Sequence, residues 1–146
     1  MRLIVQRCKE SSVSINSKVV GNITKGLVVL VGFTHIDTLK DIDYCVRKLV
    51  NLRIFDDDAG VMNKSILDIG GSVLSISQFT LYADTKKGNR PSYIKAMNSE
   101  EATKLYDIFN EKLRKYVNVE TGVFGADMLV NIKNDGPITI IIESGD

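Results

Sequence analysis

Along the first quarter of the chain apolar residues alternate with polar ones or replace them. This predicts strands at Leu3–Cys8, Val13–Ile15, Lys18–Ile23 and Gly26–Phe33, separated by turn residues. The run Gly26-Leu-Val-Val-Leu-Val-Gly-Phe33 has no polar face, as expected of a strand covered on both sides. At Asp37 the period changes. Leu39, Ile42, Val46, Leu49 and Val50 fall on one helical stripe, and Asp37 is the expected N-cap. A short strand at Arg53-Ile-Phe55, a turn at Asp56–Gly60 and a strand from Ser72 to Leu81 follow. Asn98 stands three residues before Glu101, a capping-box spacing, ahead of a second stripe of Ala102, Leu105, Phe109, Leu113 and Val117. The pattern closes with strands at Met128–Lys133 and Ile138–Ile142 joined by an Asp135-Gly136 hairpin.

Strands, helix, strands, helix, strands describe one mixed α/β domain over residues 1–146, with two helices packed on a largely antiparallel sheet. A length of 146 residues suits a single core. Composition adds the expectation of a globular protein: 44% of residues are hydrophobic and 25% charged. No apolar run approaches the ~20 residues of a membrane helix, so a cytoplasmic location is expected. Cys8 and Cys45 read as small core residues in such a compartment. A net charge of +1 leaves any nucleic-acid contact to a local patch, and Lys86, Lys87 and Arg90 form the one basic loop suited to it.

The chemistry is defined first by what is missing. His35 is the single histidine, follows Gly32-Phe-Thr and precedes a helix start, and reads as a turn residue. Cysteine and histidine spacings for zinc are absent, as are glycine-rich phosphate loops, so neither a metal nor a cofactor is expected. Two stretches stand out. In Ser72–Leu81, alternation puts Leu74, Ile76, Gln78 and Thr80 on one face, which therefore turns from aliphatic to polar along one strand. Either the strand emerges into solvent there, or Ser77–Thr80 border a pocket for a polar ligand with Phe79 as a stacking surface. The second stretch is Gly136-Pro137, where proline removes a ladder donor as a strand begins and the bond is of the kind that can be cis.

Ser77-Gln-Phe-Thr-Leu81 and Asn134-Asp-Gly-Pro-Ile-Thr139 resemble the two signature motifs of the D-aminoacyl-tRNA deacylase family. The likeness extends to Gln6-Arg7, Arg53-Ile-Phe-Asp56, Gly60-Val-Met-Asn63, Arg90-Pro-Ser92 and Thr121-Gly-Val-Phe-Gly-Ala-Asp-Met128. It implies the family's curved, barrel-like sheet with two helices and a homodimer with active sites at the subunit interface. Ser77, Gln78, Phe79 and Thr80 would line the pocket for the terminal adenosine of the tRNA, with the Phe79 amide near the scissile ester. A cis Gly136-Pro137 would reach into the partner's pocket, its carbonyls meeting the substrate ammonium and excluding an L side chain. Arg7 would hold that motif, supported by Asn134, Asp135 and Thr139.

The implied activity is hydrolysis of the ester of D-aminoacyl-tRNA, a chiral proofreading step in translation quality control. A filter that only rejects L side chains would also pass glycine, including glycine mischarged on tRNA(Ala). An aminoacyl ester next to a ribose hydroxyl is already activated, so positioned donors can suffice without histidine or metal. Thr80 as nucleophile would lack an evident base. The competing readings are an editing module that removes L-amino acids, like that of archaeal threonyl-tRNA synthetases, and a non-catalytic RNA-binding or dimeric scaffold.

Overall fold

A computed structural model describes residues 1–145. Its frame is a strongly bent sheet built on β1 (Arg2–Ile15), which runs beneath two successive strands, β2 (Lys18–Ile23) and β3 (Gly26–Gly32). Both are antiparallel to β1 and continue the same register, with Ser11 opposite Ile23 and Cys8 opposite Gly26. On the far side of β3 lie β6 (Ser72–Ser77) and β7 (Asn118–Thr121), both parallel to their neighbours. The other edge of β1 is taken by β8 (Leu129–Glu143), antiparallel. The sheet nearly closes where β2 meets β7: a Cβ at Gly21 would lie 2.7 Å from the Thr121 carbonyl oxygen, so only glycine permits the approach. The expected mixed α/β, largely antiparallel and barrel-like domain is what forms, with a parallel segment added.

The fully apolar β3 is explained by its two coverings. Leu27, Val29 and Val31 pack under α1 (Leu39–Asn51) and α3 (Ser99–Arg114), while Val28 joins Cys8, Val13, Ile23, Leu74 and Ile76 inside the bend. Both cysteines are free and buried, as expected, and burial pushes the Cys45 thiol up to about 11. Among the described residues no helix is long and apolar enough to cross a membrane.

Several local expectations need correction. Thr38, not Asp37, caps α1, forming a box with Asp41. Asp37 instead turns inward, where its carboxylate accepts from the Thr34 amide at 2.7 Å and pairs with the Met1 ammonium. Asn98 caps α3 as anticipated, accepting from the Glu101 amide at 3.0 Å. The buried stripe of α3, however, is rotated towards Tyr106 and Asn110, leaving Leu105 only partly covered. Between β5 (Met62–Lys64), which pairs with the two-residue β4 (Phe55–Asp56), and β6 lies an unforeseen one-turn helix, α2 (Ile66–Ile69), capped by Ser65. It brings the α-helices among the described residues to three. β7 was hidden because four residues are too few to show a period.

The largest difference concerns the C-terminal strands. No hairpin forms at Asp135-Gly136. Residues Leu129–Glu143 are one strand, and both of its halves pair with β1. Gln6 faces Thr139 and Cys8 faces Asn134, so the one residue between them on β1, Arg7, is matched by four on β8, residues 135–138, and three extra residues are extruded. Glycine and proline mark an excursion within a strand here, and the local signal of a turn is the same in either case.

Candidate functional site

The strand expected to run to Leu81 stops at Ser77, and a 3-10 turn over Phe79–Tyr82 replaces its end. The chain turns because the Gln78 amide still donates to the Val31 carbonyl at 2.8 Å, whereas the next amides have left the ladder. The Phe79 and Thr80 N–H groups find no backbone acceptor among the described residues. They are the open donors of a first turn. Gln78 Nε2 donates to Thr80 Oγ1 at 2.5 Å, tying the two polar side chains together. Phe79 is 55% exposed and held edge-on by Tyr93, with ring centroids 5.2 Å apart.

Ser77, Gln78 and Phe79 form one wall of a cleft of about 270 Å³. The opposite wall is the segment Phe124–Met128, which follows β7, and the floor is Ile76 and Val130. A cleft more apolar than polar, with an aliphatic floor and two aromatic rings, suits a flat, partly stackable group. Phe124–Met128 belongs to the last block of the family likeness, yet no site role was expected for it. Its signal, Gly122-Val-Phe-Gly-Ala-Asp127 without period, marks only a loop.

The second group of expected residues comes together some way along β8. Gly136-Pro137 is a cis peptide at the tip of the extruded residues, and Gly136 has φ of 126°, open to glycine alone. Arg7, 8% exposed, lies directly behind. Its Nε donates to the Asp135 carbonyl at 3.2 Å and its Nη1 to the Ile54 carbonyl at 2.9 Å, with the Asp56 and Asp135 carboxylates at 3.4 and 3.5 Å. Asn134 closes the base of the excursion: its Oδ1 accepts from the Ile138 amide and its Nδ2 donates to Thr139 Oγ1, both at 3.1 Å. Gln6 donates to the same hydroxyl at 3.1 Å. The result is an exposed main-chain tip on a rigid base. Gly136 and Pro137 do not line the cleft of their own chain.

Lys86, Lys87 and Arg90 lie on an exposed loop whose base is closed by paired hydrogen bonds between Asp84 and Ser92. The Lys86 amide, and then Lys95, hold the Asp84 carboxyl below its ordinary value. This loop leaves directly from the 3-10 turn, so its base is fixed to the cleft while its cations face solvent. His35, the expected turn residue, contacts the Ile94 carbonyl at 2.6 Å.

A family model described as D-Tyr-tRNA(Tyr) deacylase matches residues 4–143. Among solved structures, one described as "c-Myc DNA Unwinding Element Binding Protein" is 41% identical over the whole of both chains, with a TM-score of 0.95. Another, described as a "probable eukaryotic D-amino acid tRNA deacylase", covers 98% of each chain at 18% identity with a TM-score of 0.85, a likeness of fold. With a braced main-chain tip, a cleft lined by Ser77, Gln78 and Phe79 and a family match over nearly the whole length, the chain belongs to the D-Tyr-tRNA(Tyr) deacylase family.

Proposed function

We propose that the protein hydrolyses the ester of D-aminoacyl-tRNA, releasing tRNA and the free D-amino acid, and that it works as a homodimer. The observation that carries this reading is the excursion at Asp135-Gly136-Pro137: a nearly buried arginine braces it, and its tip offers main-chain groups alone. Such a tip can test an α-carbon without grasping a side chain. Its carbonyls accept from the substrate ammonium, and the space an L side chain would need is taken by backbone. Because the tip lies outside its own cleft, it serves the cleft of a second copy.

In that composite site the terminal adenosine occupies the cleft between Phe79 and Phe124. Water attacks the ester carbonyl carbon, the bond from that carbon to the ribose oxygen breaks, and the ribose oxygen leaves with a proton. The open Phe79 and Thr80 amides stabilise the oxyanion, and the vicinal ribose hydroxyl assists in place of a protein base. Lys86, Lys87 and Arg90 contact acceptor-stem phosphates.

The test is a deacylation time course on one tRNA charged with D-tyrosine, L-tyrosine or glycine. Loss of the D-tyrosyl and glycyl esters with the L ester intact is expected. Loss of the L ester would indicate an ordinary editing hydrolase, and loss of none a scaffold. A second reading, binding of duplex DNA, is suggested by the name of the 41% identical protein, and the basic loop is the feature here that would serve it. A net charge of +1 gives that reading little long-range attraction. Salt-dependent duplex binding without any ester hydrolysis would favour it.

A further inference from the structure

The core under the cleft carries a polar cluster that the deacylase reading does not use. Tyr106 and Asn110, on successive turns of α3, are 4% and 3% exposed, and Ser75 on β6 is fully buried. The Tyr106 hydroxyl donates to the Ser75 carbonyl at 2.8 Å, and the Ser75 hydroxyl approaches the phenol oxygen at 3.4 Å. Asn110 Oδ1 has no partner among the described residues. A buried acceptor left unpaired is a cost, and phenylalanine and leucine at these places would give a core without it. Stability alone does not account for the cluster.

Its position does. Ser75 lies two residues before Ser77, on the strand that delivers the polar wall of the cleft. The Tyr106 ring lies 5.8 Å from that of Phe124, which heads the opposite wall. One side chain therefore touches the supports of both walls, and burial pushes its phenol up from the ordinary tyrosine value.

We infer that Tyr106 is a positioning residue that sets the width of the cleft, its hydroxyl anchoring β6 through the Ser75 carbonyl and its ring backing Phe124. The kinetic consequence rests on the deacylase reading, whereas the structural one stands without it. Loosened walls weaken the grip on the terminal nucleoside before and during reaction alike, so the loss falls on KM.

Three variants separate this role from general stability. Tyr106→Phe keeps the ring and removes the hydroxyl, Tyr106→Leu removes both contacts, and Val46→Ala, on the core face of α1, is the control. Hydrogen exchange is followed in residues 72–79 and 122–130, alongside KM and kcat for D-tyrosyl-tRNA. Tyr106→Phe should speed exchange in residues 72–79 with 122–130 and α1 unchanged, and raise KM about fivefold to tenfold with kcat within about twofold. Tyr106→Leu should raise KM further. Val46→Ala should lower the melting temperature without altering KM or exchange at the cleft. Wild-type exchange in residues 72–79 in Tyr106→Phe would overturn the inference, as would an equal rise in KM in Val46→Ala. If Tyr106→Leu does not fold, Phe124→Leu cuts the ring contact from the loop side and should speed exchange in 122–130 alone; unchanged exchange there would also overturn it. An inactive wild-type protein would sink the deacylase reading, and the exchange data would still decide the role of Tyr106.

Discussion

At the scale of single residues, Arg7 and Thr80 mark opposite cases. Arg7 is nearly buried and donates to two carbonyls, so Arg7→Met leaves both acceptors short of a partner and the excursion without its brace. The fold should lose about 2 kcal/mol, read from a urea melt. Activity on D-tyrosyl-tRNA should fall more than about tenfold, and the ratio of D to L hydrolysis should fall with it. Thr80 accepts from Gln78, and among the described residues no side-chain base is hydrogen-bonded to its hydroxyl. Thr80→Ala should therefore retain activity within about tenfold, since its amide remains in place. Complete loss in a folded protein would make the hydroxyl the nucleophile. Arg7 was expected from resemblance and is found behind the excursion it was expected to hold. Tyr106 and Asn110 were not expected at all, because a polar residue interrupts the apolar stripe by which a buried helix face is read.

Among elements, the two long helices, β2 and β3 were legible from their periods or apolar runs, whereas the two strands expected at Leu3–Cys8 and Val13–Ile15 are one, β1, because its partners β2, β3 and β8 carry the pairing across the polar stretch between them. The end of β6 and the join within β8 were not. Ser72–Leu81 alternates throughout, but whether the alternation continues as a strand depends on a neighbour to pair with, and β3 has only the Val31 carbonyl left to offer beyond Ser77. In β8 the decisive partner is β1, which pairs with residues on both sides of Gly136-Pro137. The basic loop is an element whose role is separable from the cleft. Replacing Lys86 and Lys87 together by alanine should weaken tRNA binding and lower the slope of log K against log salt by about 1.5, measured by filter binding. An unchanged slope would leave the loop a solvated turn.

On the scale of the whole molecule, the tip does not line the cleft of its own chain, and the proposed reading therefore needs two chains for one site. The second edge of β8 has no partner strand among the described residues, and Leu129 and Ile141 on it are 75% and 62% exposed. Sedimentation should show a dimer. Mixing Arg7→Met chains, defective in the tip, with Phe79→Ala chains, defective in the cleft, should restore about a quarter of wild-type activity, because half the dimers are hybrids with one good site of two. No restoration in a mixture shown to exchange subunits would place tip and cleft in the same chain.

By itself the sequence determined the class of the fold, the core-facing residues of β3 and α1, and the two motifs, because these depend on local period and residue identity. Tertiary structure alone decided that β6 ends in a 3-10 turn, that β8 is one strand with an extruded tip, and that Phe124–Met128 faces Ser77–Phe79. Each of those outcomes is set by which backbone groups find partners across the sheet, and such pairing joins residues too far apart in sequence for any local pattern to record.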